Sequence, residues 1–137
     1  MIFDTEASIL ARLVDRCPSG SLLVGTFEEV NLTDDAAEVV AGQVFLTEIQ
    51  PAGEVRGACA AVLLHYAFSV YCDIARASTE QKTAAADLFE QAAHALVSWE
   101  YAPMRYPQLT QGQSTEFNGR VLRLSFGFSL PAFLGSP

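Results

Sequence analysis

The chain reads as α+β: a single layer of mostly antiparallel β-sheet, about four to five strands, packed by an N-terminal helix and a long central helix. Three patterns predict this. Leu64, Tyr66, Phe68, Val70, Cys72 and Ile74 alternate with Leu63, His65, Ala67, Ser69, Tyr71 and Asp73, the period of a strand whose successive side chains take opposite faces. The alternation returns near the C-terminus, with Leu122, Leu124, Phe126, Phe128 and Leu130 inward and Arg123, Ser125, Gly127 and Ser129 outward. Between these stretches Ala85, Leu88, Phe89, Ala92, Ala95, Leu96 and Trp99 recur at helical spacing. Tyr66, Phe68, Phe126 and Phe128 are therefore expected in a core beneath the central helix. The mixed face of the sheet is expected to meet water, a partner or both.

The first helix is capped by Asp4 or Thr5, takes Glu6 into its first turn, carries a stripe of Ile9, Leu10, Leu13 and Val14, and stops at Cys17-Pro18. Arg12 and Arg16 fall near its C-terminus, where positive charge complements the helix dipole. A turn at Pro18-Ser19-Gly20 leads to a first strand, Ser21 to Phe27, and then to an exposed acidic loop from Glu28 to Ala37. Val39 to Ile49 reads as the second strand, and Gln50-Pro51-Ala52-Gly53-Glu54 as a hairpin connection. The long strand runs from Val55 to Ile74, with a bulge, bend or break marked by Gly57 and the small residues Ala58 to Ala61.

Ser78 opens the central helix, with Gln81 placed to complete a capping box, and the helix runs to Trp99. Its polar face holds Asp87, Glu90, Gln91, His94 and Ser98, so His94 is a surface residue. Tyr101 to Phe117, with Pro103, Pro107 and Gly112, fits neither period and reads as a long loop, a natural place for partner contact. Asn118-Gly119 signals a turn before the closing strand, which Pro131 ends. One domain spans residues 1–137, with a frayed tail from about residue 132 onward.

Half the residues are hydrophobic and 18% are charged, which fits a packed domain and argues against disorder. The net charge of −8 arises within residues 1–54, where ten acids face only Arg12 and Arg16. That field disfavours binding to a nucleic-acid backbone. Solubility accounts for it, and an acidic surface would also line a channel that DNA passes without sticking. Cys17, Cys59 and Cys72 lack the spacing of a disulfide framework or a zinc site and are expected to be reduced. The opening residues carry Asp4 and Glu6 where a signal peptide needs a basic and then apolar stretch, so retention in the cytosol is expected. The longest apolar run, the 16 residues from Gly57 to Cys72, falls short of the about 20 that a membrane helix requires.

No phosphate-binding loop, nucleophile elbow or metal motif is present. His65 and His94 both have structural explanations, and the carboxylate pairs Glu28-Glu29 and Asp34-Asp35 lack a calcium ligand ladder. The sequence therefore points to no catalytic residue, no cofactor and no metal. Arg120, Arg123, His65 and Tyr71 share the outward face, where charge mixed with aromatics can seat a neighbouring subunit.

The order of elements, the Ile9-Leu10-Ala11-Arg12-Leu13 helix near the start and the closing Leu-x-Phe-x-Phe strand at Leu124, Phe126 and Phe128 resemble the tail terminator, or tail-completion, proteins of long-tailed bacteriophages. The likeness is to the Mu-like contractile-tailed type, whose terminators are minor tail proteins. It implies a virion subunit, assembled in the host cytoplasm, that forms a ring, commonly a hexamer, on the head-proximal end of the tail tube. Its partners would be further copies of itself, the tube protein and the neck or connector protein, with a sheath as a further potential contact. DNA would pass through the ring without specific binding, and no membrane or catalytic set is implied. Candidate interface residues are Glu28, Glu29, Asp34 and Asp35 in the acidic loop, Arg105, Tyr106, Gln111 and Gln113 in the polar loop, and Arg120 and Arg123 on the closing strand. The alternatives are a neck or head-tail connector subunit and, less favoured, a small-molecule binding module or enzyme.

Overall fold

A computed structural model describes residues 2–17, 39–56, 59–110 and 114–135. The expected turn at Pro18-Ser19-Gly20, strand Ser21 to Phe27 and acidic loop Glu28 to Ala37 lie outside the described residues. In chain order the elements are α1 (Ile2–Arg16), β1 (Val40–Arg56), β2 (Cys59–Asp73), α2 (Thr79–Val97), β3 (Gln108–Leu109), β4 (Ser114–Phe117) and β5 (Val121–Gly135). The strands form one antiparallel sheet in the order β1-β2-β5-β3, with β4 also paired to β5. The architecture is α+β, with both helices contributing to one core on one face of the sheet.

Strand parity holds through the centre of that core. Leu64, Tyr66, Phe68, Val70 and Cys72 from β2 and Phe126, Phe128 and Leu130 from β5 are buried. Antiparallel register places Tyr66 opposite Phe128 and Phe68 opposite Phe126, with ring centroids 5.6 and 5.4 Å apart. Cross-strand aromatic pairs of this kind stabilise a sheet beyond the area they bury. Phe89 from α2 meets Phe126 edge-on at 5.4 Å and 70°, so the helix is keyed to the same aromatic row.

Every α2 position expected inward from Ala85 to Leu96 is buried. The capping box is formed: Gln81 N–H donates to Ser78 Oγ at 3.1 Å, and Ser78 N–H donates to Gln81 Oε1 at 2.8 Å. Replacing Ser78 by alanine removes one acceptor for an otherwise unpaired helix N–H, and a loss of about 1 kcal/mol in urea unfolding is expected.

Several boundaries differ from expectation. α1 begins at Ile2, and its buried line runs through Glu6, Ile9, Leu13 and Cys17, leaving Val14 exposed. Of the four apolar positions expected to pack, Ile9 and Leu13 enter the core, Leu10 lies partly buried against it, and Val14 stays outside. Arg12 serves the end of α2 rather than of its own helix: Nε donates to the Ala95 carbonyl at 3.0 Å and Nη2 to Ser98 Oγ at 3.4 Å. Gln50 to Glu54 is not a hairpin turn. β1 continues through it as an irregularity between Pro51 and Val55 and stays paired with β2 to Arg56↔Cys59, because proline and glycine serve a bulge as well as a turn. The long strand expected from Val55 is thus divided, its first residues belonging to β1.

Pro131 does not end the last strand, which runs to Gly135 beside the start of β2. The Gly127 carbonyl accepts from Thr110 N–H on the side away from β2, and the Pro131 carbonyl, of the same parity, accepts from the Tyr101 hydroxyl. The N–H that proline lacks would point to that same edge, so no β2–β5 bond is lost. The expected loop from Tyr101 to Phe117 contains β3 and β4, which pair with this edge of β5. Its Gln111 and Gln113 lie outside the described residues. Asn118-Gly119 forms the expected turn. Gly119 has φ 96°, and Asn118 Oδ1 accepts from the N–H groups of Arg120 and Val121 at 3.0 and 2.8 Å.

Candidate functional site

The second face of the sheet is more closed than its mixed composition suggested. Ala41, Gln43, Ser69, Tyr71, Asp73, Val121 and Ser129 are all buried there. Arg123 forms part of the cover: its guanidinium lies 5.9 Å from the Phe45 ring centre and 5.6 Å from that of Tyr71. Its Nε donates to Ser69 Oγ at 3.2 Å, and Ser69 is joined to Ser125 at 2.8 Å. Glu116 on β4 stands 3.6 Å from Arg123 Nη1. Arg123 therefore braces three strands instead of projecting freely toward a neighbour, and Tyr71 is a buried member of the same group. Farther along this face His65 shares a 2.7 Å hydrogen bond with Gln50 Oε1.

At the end of β2 the fully buried Asp73 gathers two arginines. Its Oδ2 accepts from Arg76 Nε at 2.7 Å and from Arg120 Nε and Nη2 at 3.0 Å each. Its Oδ1 faces the N–H groups of Ala75 and Arg76 at 3.2 and 3.4 Å. The hydrogen bonds from Arg76 and then Arg120 hold the carboxyl down at about 2. Arg120 is thus a structural clamp between the β4–β5 turn and the entry to α2.

The opposite end of the sheet carries a tight turn. Arg105 N–H donates to the Ala102 carbonyl and Tyr101 N–H to the Arg105 carbonyl, at 2.9 and 3.1 Å. Met104 sits at its tip with φ 59°, in the left-handed region, and is 91% exposed. The Arg105 guanidinium lies 5.5 Å from the centre of the Phe133 ring. Tyr106 donates its hydroxyl to Glu100 Oε2 at 2.7 Å, and that bond to a carboxylate raises its pKa.

Of the ten candidate interface residues, Glu28, Glu29, Asp34, Asp35, Gln111 and Gln113 lie outside the described residues. The other four do not converge: Arg120 and Arg123 sit toward the Asp73 end, Arg105 lies over Phe133, and Tyr106 is bonded to Glu100. Exposed apolar side chains at both ends were not singled out in the sequence, namely Phe117 at one and Met104 and Phe133 at the other, with Leu109 exposed opposite the middle of β5. The Pro103-Met104 turn and the Phe-Leu pair after Pro131 were the available signals.

Besides a cleft of about 260 Å³ lined by Tyr71, Glu116, Phe117, Asn118, Val121 and Arg123, two clefts among the described residues are lined by α2. One, about 460 Å³, lies between the helices against Arg12, Arg16, Glu90, Gln91 and His94. The other, about 230 Å³, is an apolar groove between the edge of α2 and the sheet, lined by Val70, Cys72, Lys82, Ala86, Leu122 and Leu124. Burial pushes the thiols of Cys17 and Cys72 up from their ordinary value, which disfavours the reactive thiolate. Among the described residues no three His, Cys, Asp or Glu side chains come together as a metal site, and no helix is long and apolar enough to cross a membrane.

Inside the core the Tyr66 hydroxyl and Glu6 Oε1 are buried without a hydrogen-bond partner among the described residues. Burial, and then the Glu6 charge, push Tyr66 up to about 12. Tyr66→Phe keeps the stack on Phe128 and removes an unpaired hydroxyl, so stability should be unchanged or higher by up to about 1 kcal/mol in urea titration. No protein-family model matches the chain, and no curated protein matches it.

Proposed function

We propose that this chain is a phage tail terminator, a structural virion subunit that forms a ring on the head-proximal end of the tail tube, stops tube growth and offers a docking surface to the neck. The observation that carries this reading is that exposed apolar side chains occur at both ends of one sheet. Phe117 stands at one end, and Met104 and Phe133 stand at the other. A ring member must contact a neighbour on each side, and a rigid sheet with an apolar surface at each end suits that task. Two polar pairs, Arg120 with Asp73 and Arg123 with Ser69, stiffen this platform.

Electron microscopy of the purified protein mixed with polymerised tail tubes tests the reading. Decoration of one end of each tube, with arrest of elongation when tube subunits are added, is the expected result. Bare tubes, or binding along their sides, would remove it. Binding to isolated necks but not to tubes would favour the connector alternative. A small-molecule-dependent rise in melting temperature without tube binding would favour a binding module.

A further inference from the structure

We infer that copies of this chain associate head to tail, with the Met104 turn of one copy seated in the apolar groove between α2 and the sheet of the next. The two features are complementary. Met104 is a large apolar side chain presented almost wholly to solvent from a backbone conformation that non-glycine residues rarely adopt. A strained, exposed apolar tip costs stability in the monomer, a cost that contact with a partner would offset.

The groove has the volume of several waters at about 30 Å³ each, room for a flexible thioether chain, and Val70, Cys72, Ala86, Leu122 and Leu124 give it an apolar lining. Lys82 stands at its side. Its ammonium makes no ion pair among the described residues, and the carbonyls of Pro103 and Met104 accept no hydrogen bond there. A seated turn would bring these donors and acceptors together at the groove's edge.

Knob and groove cannot meet within one chain. The groove lies at the Leu122 end of β5 and the Met104 turn beside Pro131 and Phe133, some eleven residues along a strand that rises about 3.3 Å per residue. Two different patches joined between copies make a heterologous contact, which closes into a ring or extends as a filament. The contact deepens the terminator reading and rests on it only for closure into a ring.

Two variants test it. Met104→Gly suits the positive φ and removes the knob. Ala86→Arg, at an exposed helix position, fills the groove. Both should melt close to the parent. In sedimentation velocity, the parent should self-associate with rising concentration, and each variant should do so at least about tenfold more weakly. Mixing the two variants should yield a dimer and nothing larger, since only the Ala86→Arg knob can enter the Met104→Gly groove. A parent monomeric up to about 1 mM, variants that associate like the parent, or a mixture without dimer would overturn the contact. A dimer in the mixture with bare tube ends would keep the contact and remove the terminator reading. Capped tube ends with unimpaired variants would do the reverse.

Discussion

Phe128→Ala should destabilise the fold by about 3–5 kcal/mol. Phe128 is fully buried, stacked on Tyr66 with an interplanar angle of 18° and tilted against Phe126 at 6.0 Å. Its strand lies between β2 and the short β3, so inward collapse is resisted from both sides. Truncation forfeits the transfer free energy of the ring and leaves a cavity that close-packed neighbours fill only in part. Against a total stability of about 5–15 kcal/mol for an ordinary domain, that loss would move the urea midpoint far to the left at nearly constant slope. Phe117→Ala, at an exposed site of the same hairpin, should change stability by less than about 0.5 kcal/mol. A cost below about 1 kcal/mol for Phe128→Ala would mean that β5 is out of register on β2, since a slip of one residue turns every side chain to the other face.

The aromatic row was legible because period-two alternation survives any choice of strand ends. The ends themselves were not. Pro51-Ala52-Gly53 carries the same local chemistry whether it turns the chain or bulges it, and β2 decides the matter by offering partners beyond it. Pro131 reads as a terminator until its missing N–H is seen to face an edge where nothing needs it. β3 and β4 are two and four residues long, too short for periodicity to register, and they exist because β5 has an open edge to pair.

The candidate site was legible in kind but not in arrangement. Arg120 and Arg123 were recognisable as outward-facing, yet their partners Asp73 and Ser69 stand 47 and 54 residues away in sequence, so their bracing role appears only in three dimensions. Met104 was missed for a related reason. Its exposure follows from a turn closed by Ala102 and Arg105 and held against β5 by Tyr101, and no single residue in that stretch announces it.

The second large effect should come from Asp73, through pH as well as substitution. Its carboxyl sits at about 2 in the folded chain and near the ordinary aspartate value of about 3.9 when unfolded. The folded state therefore binds the proton less readily. The carboxylate's contribution is fully present above about pH 4 and is lost as pH falls toward 2. Asp73→Asn keeps an oxygen for the Ala75 and Arg76 N–H groups but sets an uncharged amide against two guanidiniums. Its melting temperature should drop by several degrees at neutral pH and change less between about pH 4 and 2 than the parent's, with the two proteins converging at the acid end. Asp73→Ala also removes the turn acceptor before α2 and should melt lower still. Arg120→Gln should reproduce part of the loss, because Arg76 still pairs with Asp73 at 2.7 Å. Parallel melting curves for parent and Asp73→Asn from neutral pH to 2 would show that the two arginines do not hold the carboxylate, and that the β4–β5 turn is anchored to β2 by its backbone bonds alone.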